Sequence, residues 1–184
     1  MSSTLRYTYR LRPGAEALRA LTQEWGRARW VWNQCVVAGK AARRNPERRF
    51  LTDKDLTAAR ARIPWLREGS VVVQQQMMRD YSRRKAADQG PRKLKKHHCL
   101  PSLNYTLRGF SLRDGALVLA GGISLPVVWS RELPSAPTSV RVYQDSLGHW
   151  YASFVVYREV ASALVTAHSP GQTTIGPRYL AILQ

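Results

Sequence analysis

Acidic residues are scarce in this chain: 12 Asp and Glu stand against 29 Lys and Arg, a formal net charge of +17 over 184 residues. So much like charge repels itself unless a partner neutralises it, which points to a polyanion. Cysteine is scarcer still. Cys35 and Cys99 are the only two, too few for a disulfide framework, and they fit a reducing compartment. No run approaches the roughly 18 apolar residues that a membrane-spanning helix requires. Nor does Met1-Ser2-Ser3-Thr4-Leu5-Arg6 contain the apolar core of a secretory signal. A cytoplasmic protein with nucleic acid rather than membrane as its partner is the expectation. Apolar residues are not lacking. They make up 44% of the chain, with six Trp and eight Tyr, enough for a folded interior and too many for a disordered basic tail.

Residues Leu5, Tyr7, Tyr9 and Leu11 alternate with Arg6, Thr8 and Arg10, the pattern of a half-buried strand that Pro13-Gly14 ends. Leu18, Leu21, Trp25, Ala28, Trp32 and Cys35 then recur at steps of three and four, predicting a helix from about 14 to 39. Arg19, Arg27 and Arg29 fall off that stripe. A shorter helix is expected to open at Thr52, its hydroxyl the cap with Asp55 three residues on, with Leu56, Ala59 and Ile63 as its stripe and Pro64 as its stop. A third begins after Gly69-Ser70 and runs through Val73, Met77 and Tyr81. Gly90-Pro91 breaks it, and Arg92 to His98 read as a basic loop.

From Tyr105 onward the period becomes two. Phe110 and Leu112 lead into an Asp114-Gly115 turn, and Leu117 and Leu119 return. Val127, Val128, Val140 and Val142, the turn at Asp145 to Gly148, then Trp150, Phe154 and Val156 continue an antiparallel meander. The first strand must find partners about a hundred residues later. The expected fold is therefore α+β: a small antiparallel β-barrel from 4–12 and 102–157, a helical subdomain at 13–101 inserted into it, and 158–184 as a tail. That tail contains no carboxylate after Glu159 and one arginine, Arg178.

Two-metal phosphodiester cleavage needs carboxylates that converge on the ions. Here they are scattered, and the nearest pair, Asp53 and Asp55, does not share a helix face. His97-His98-Cys99 forms one compact cluster without the second ligand pair of a tetrahedral zinc site. Neither catalysis nor a metal or other cofactor is expected. Basic residues, by contrast, concentrate: Met77 to Arg108 contains nine Lys and Arg against two acids. Arg79, Arg83 and Arg84 share a side of the third helix, and Lys85, Arg92, Lys93, Lys95 and Lys96 extend the run. These eight are the candidate phosphate contacts. Trp25 and Trp32 lie on the apolar stripe and read as core; Trp30 is read the same way.

The segment Tyr9-Arg10-Leu11-Arg12-Pro13, followed by Gly26-Arg27-Ala28-Arg29-Trp30-Val31-Trp32-Asn33, resembles the opening of TnpB proteins, the OrfB-type accessory proteins of insertion-sequence transposases. Pro64-Trp65-Leu66-Arg67-Glu68 with Gln74-Gln75, then Ser102 to Thr106 and Leu125-Pro126, are similar to later family segments in the same order. Ser139-Val140-Arg141-Val142 and Gly148 to Phe154 are similar to the hairpin that precedes the family's nuclease domain. The resemblance covers roughly residues 5 to 157. It implies a wedge-like β-barrel and a helical recognition domain that hold a guide RNA and read double-stranded DNA beside the target. Asp53, Thr57, Val71, Val72, Gln75, Thr106 and Leu107 match the family's duplex-reading positions; of these, Gln75 and Thr106 are suited to base edges. The family's RuvC-like nuclease opens with an Asp in a pattern like I-G-x-D-x-G. Here Thr174-Ile175-Gly176-Pro177-Arg178 has none. The expectation is a catalytically inactive, truncated TnpB-like chain. Two alternatives stand beside it: a nuclease-dead, RNA-guided DNA-binding repressor, and a non-functional gene remnant.

Overall fold

The computed structural model describes residues 2–86 and 92–159. Strand β1 (Ser2–Leu11) is followed by helices α1 (Ala15–Arg44), α2 (Asp53–Arg62), α3 (Pro64–Arg67) and α4 (Val71–Ala86). Six strands come after them: β2 (Ser102–Thr106), β3 (Phe110–Arg113), β4 (Ala116–Leu119), β5 (Ile123–Val128), β6 (Ser139–Gln144) and β7 (Trp150–Glu159). The strands form one antiparallel sheet in the order β2-β6-β7-β1-β5-β4-β3. β1 pairs with β7 from Ser2↔Glu159 to Leu11↔Trp150, and its end also pairs with β5 through Arg10↔Val128 and Leu11↔Val127. The distant partners required by the amino-terminal strand are thus β5 and β7.

The ladder is open rather than closed. β2 and β3 are its two edges. They follow one another in the chain through the 3-10 turn Leu107–Gly109 instead of pairing. Closure would need both edges to run side by side, and the turn sends β3 away toward β4, where the amide of Ala120 donates to the Gly109 carbonyl at 3.0 Å or less (2.8 Å). The α+β class agrees with expectation; a barrel closed by hydrogen bonds is not what the ladder forms. The Asp114-Gly115 hairpin has the left-handed backbone that such a turn demands, with φ of 48° and 75°. β7 includes Arg158 and Glu159, so the strand outlasts the expected start of the tail; residues 160–184 lie outside the described residues.

Helix α1 buries Leu21, Trp25, Ala28, Trp32 and Cys35, as its stripe predicts, while Leu18 stays at the rim. It runs past residue 39 because Gly39 is a packing position rather than a stop: a Cβ there would collide with the Tyr81 hydroxyl of α4. The end comes at Asn45, whose amide donates to the Ala41 carbonyl at 3.0 Å. At the start of α2 the Asp55 carboxylate accepts from the amide and hydroxyl of Thr52 at 2.7 and 2.8 Å, and Arg49 grips it with two bonds of 2.7 Å. Pro64 ends α2 but also opens the single turn α3, which suits a residue without a donor. α4 begins after Gly69-Ser70 and buries Val73, Met77, Met78 and Tyr81. The expected break at Gly90-Pro91 falls outside the described residues. β2 starts three residues before the alternation was expected, with Leu103 and Tyr105 inward.

Helices and sheet share one apolar core, in which Trp25, Trp32 and Tyr81 join Leu103, Tyr105, Val142 and Phe154. Among the described residues no helix is long and apolar enough to cross a membrane.

Candidate nucleic-acid interface

A buried indole N–H needs an acceptor, and in α1 that requirement organises the basic segment. The Trp32 indole donates to the Lys93 carbonyl at 3.0 Å, and the Trp25 indole to the Cys99 carbonyl at 3.0 Å. Between them Asn33 makes a reciprocal pair: its amide donates to the Lys95 carbonyl at 3.1 Å, and its oxygen accepts from the Lys95 amide at 2.8 Å. Residues 92–98 have no regular structure of their own. Their backbone is held by side chains of α1.

This arrangement divides the eight candidate phosphate contacts. Arg79 and Arg83 are exposed on α4, and Lys93 and Lys96 are exposed on the pinned segment. Lys95 is half-buried, with its ammonium 4.9 Å from the Trp32 ring centre and 5.6 Å from that of Trp25. Arg92 departs from expectation. It is buried, its guanidinium 4.6 Å from the Tyr81 ring centre, because cation–π contact with α4 turns it inward. Arg84 and Lys85 belong to α4, and their side chains lie outside the described residues.

A groove of about 530 Å³ runs between α4 and the sheet. Its floor is Arg6 of β1, Arg141 of β6, and Ser102 and Asn104 of β2; Asp80, Arg83 and Lys95 stand at its wall. Asp80 is already engaged, by Arg83 at 3.1 Å, Asn104 at 3.1 Å and Gln76 at 3.1 Å. Arg141 donates to the Ser102 hydroxyl at 2.8 Å. The groove therefore carries four cations against one carboxylate that is tied down by hydrogen bonds. Arg6 and Arg141 were not among the expected contacts. Only their outward place in the strand alternation hinted at them.

The duplex-reading candidates fall into two groups. Val71, exposed, and Val72 and Gln75, half-buried, share the first turns of α4. A Cβ on Gly109 would come within 3.2 Å of Val72, so the turn carrying Leu107, exposed, and Thr106, half-buried, lies against the same end of the helix. Asp53 and Thr57 are exposed on α2, and the Thr57 hydroxyl donates to the Asp53 carbonyl at 3.0 Å. Asp53 shares an open groove of about 610 Å³ with Arg79 and Arg83 of α4.

The start of α4 is fixed by a polar network that the sequence reading missed. Glu24 and Arg27 are buried. Glu24 accepts from the Ser70 amide at 2.9 Å and faces Arg27 at 3.3 Å. Arg27 donates to the Trp65 carbonyl at 2.7 Å and to Glu68 at 3.1 Å. Arg60 reaches the carbonyls of Leu66 and Gly69 at 3.0 Å and the Gln74 side chain at 2.6 Å. Burial raises the Glu24 carboxyl above its ordinary pKa, while the Ser70 amide and Arg27 pull the other way. The one available signal was the spacing of Glu24 and Arg27, three apart on a helix.

No group of three or more His, Cys, Asp and Glu that would hold a metal occurs among the described residues. His97 and His98 contact one another edge to face, their ring centres 5.3 Å apart.

Residues 1–45 match the model of the helix-turn-helix domain of OrfB-type IS605 proteins. The match covers about a quarter of the chain and shows a likeness of its amino-terminal part to that domain. The matched stretch is β1 and the single helix α1. It contains no second helix to enter a DNA groove, so the recognition geometry of a helix-turn-helix pair is not formed by these residues alone. Among solved structures, the chain is similar to a Cas12f1 chain from a cryo-EM structure of the Cas12f1–sgRNA–target DNA complex, at 9% identity and a TM-score of 0.39. The similarity covers 88% of this chain and 49% of that one. No curated protein matches it.

Proposed function

We propose that this chain is a nucleic-acid-gripping module of a TnpB-like, RNA-guided protein. The sheet acts as a wedge-like body, RNA lies along the pinned basic segment and the groove beside it, and double-stranded DNA is read at the start of α4 and on α2. The observation that carries this reading is the set of four bonds from Trp25, Trp32 and Asn33 to the backbone of Lys93, Lys95 and Cys99. A lysine-rich stretch that would otherwise repel itself is held in one shape next to exposed arginines of α4. Preordering lowers the entropic cost of meeting a phosphate backbone.

Binding rather than hydrolysis is the role we assign to the described part. Four of its carboxylates are committed to structure: Glu24 to Ser70 and Arg27, Asp55 to Thr52 and Arg49, Asp80 to Asn104 and Arg83, and Asp145 to the amides of Leu147 and His149. Phosphodiester cleavage needs such groups converged on metal ions.

The test is a salt titration of the whole chain with labelled RNA and duplex DNA. Neutralising about six phosphates makes affinity fall roughly 10³-fold between 50 and 200 mM salt. A salt-independent affinity, or none, contradicts the reading.

A further inference from the structure

The register of β6, β7 and β1 gives the sheet a second surface, turned away from the core. Val140, Val142, Ala152 and Phe154 point into the core. Their neighbours along the strands point the other way. Tyr143 pairs with Tyr151, Arg10 with Tyr151, and Arg6 with Val155, so Arg6, Arg10, Arg141, Tyr143, Tyr151 and Tyr157 share the outer face. The rings of Tyr143 and Tyr151 are stacked, with centres 5.5 Å apart and planes 24° from parallel. The Arg141 guanidinium lies 5.2 Å from the Tyr143 ring centre. Tyr157 is 53% exposed. Among the described strand positions of β6, β7 and β1 on this face the one carboxylate is Glu159, the last residue of β7, opposite Ser2 and at the far end of the strand from Tyr151. Asp145, beyond the end of β6, accepts from the amides of Leu147 and His149 at 2.9 and 2.8 Å and from the Tyr151 hydroxyl.

Protein interiors do not explain this row. Planar groups set in line across a sheet with cations at both sides are what an unpaired strand needs. Bases stack on aromatic and guanidinium faces, and phosphates are met by arginine. Duplex DNA cannot use such a row, because its bases are already stacked on each other. We propose that the outer face of β6, β7 and β1 binds a single-stranded stretch of nucleic acid, with a base extending the Arg141–Tyr143–Tyr151 column and the backbone crossing Arg6 and Arg10. Arg6 and Arg141 also form the floor of the groove beside α4, so a strand on this face continues into it. The inference rests on the reading that the chain binds nucleic acid, and adds to it a site that senses bases rather than charge.

The experiment compares single-stranded RNA, single-stranded DNA and an abasic strand of equal length, at one salt concentration, against the whole chain. The base-bearing strands bind roughly tenfold more tightly than the abasic one. Tyr143→Leu with Tyr151→Leu removes that preference and leaves duplex affinity unchanged, whereas Tyr143→Phe with Tyr151→Phe retains it. In parallel, a thiouridine-bearing strand is photo-crosslinked to the unaltered chain and the adducts are mapped by mass spectrometry; this decides the matter even if the Leu variant fails to fold. Adducts on β6 and β7 support the site. Equal binding of abasic and base-bearing strands, a preference that survives in a folded Leu variant, or adducts confined to α4 and residues 92–98 overturns it. Absence of binding to every strand and duplex defeats the proposed function itself.

Discussion

The indole of Trp32 in α1 donates a hydrogen bond of 3.0 Å to the carbonyl of Lys93, joining the longest helix to the most basic stretch of the chain. One side chain thereby serves two ends. Its ring fills the core against Tyr81, with centres 5.7 Å apart, and its N–H fixes where the lysines stand. Removing the donor while keeping the ring separates these roles. Trp32→Phe is expected to cost about 1 kcal/mol in unfolding free energy and to speed tryptic cleavage within residues 93–96. Trp32→Ala is expected to cost about 3–5 kcal/mol. Denaturant unfolding with limited proteolysis checks both; equal effects of the two variants would contradict the division.

Gly39 sits where the Tyr81 hydroxyl meets α1. Alanine is the better helix former by about 1 kcal/mol, yet Gly39→Ala is expected to destabilise the protein by about 1–3 kcal/mol through overpacking. Tyr81→Phe in the same chain removes the colliding oxygen and recovers part of the loss. A stabilising Gly39→Ala in thermal melting would show that the two helices are not in close contact there.

The Asp55 carboxyl is held well below the usual carboxylate range, first by its bonds with Arg49 and then by those with Thr52. A depressed folded value means that its contribution is complete above the unfolded pKa of about 3.9 and is lost as pH falls through the folded value. Asp55→Asn should therefore be less stable than the parent by a constant amount between about pH 5 and 8, and the gap should close only below about pH 4. Paired unfolding curves across pH read this directly. A gap that closes near neutrality would mean that another group titrates.

Gln75 shares the first turns of α4 with Val71 and Val72, above the network of Glu24, Arg27, Arg60 and Gln74. In the proposed reading Gln75→Ala leaves general affinity intact and weakens preference for one duplex motif by about 1–3 kcal/mol. Binding to a panel of duplexes measures it; a uniform loss across the panel would make Gln75 a general contact instead.

Local periodicity made much of the fold legible. The Leu5-to-Leu11 alternation gave β1, the Trp25–Trp32 stripe gave α1, and Asp114-Gly115 gave the β3–β4 hairpin, because each pattern is set by neighbours in sequence. What stayed hidden depends on partners far along the chain. Arg27 looks like a solvated residue beside the stripe until Trp65 and Glu68 close over it. Arg92 looks like one more cation in a basic run until Tyr81 draws it inward. Arg6 and Arg141 come together only because β1, β7 and β6 pair in that order. The donor roles of Trp25 and Trp32 were half visible, since a buried indole demands an acceptor but does not say which carbonyl supplies it.

The central claim is that the segment pinned by α1 and the exposed face of α4 grip phosphates, and one comparison tests it most directly. Arg79, Lys93 and Lys96 are all exposed, so their replacement by Gln together should leave the melting temperature unchanged. Each lost phosphate contact flattens the dependence of log affinity on log salt by about 0.9 on a duplex, so the triple variant should lose a slope of roughly 3 and bind every sequence more weakly to the same degree. A triple variant that melts like the parent and keeps its affinity and salt slope would show that this surface is a solvated face, and would contradict the account.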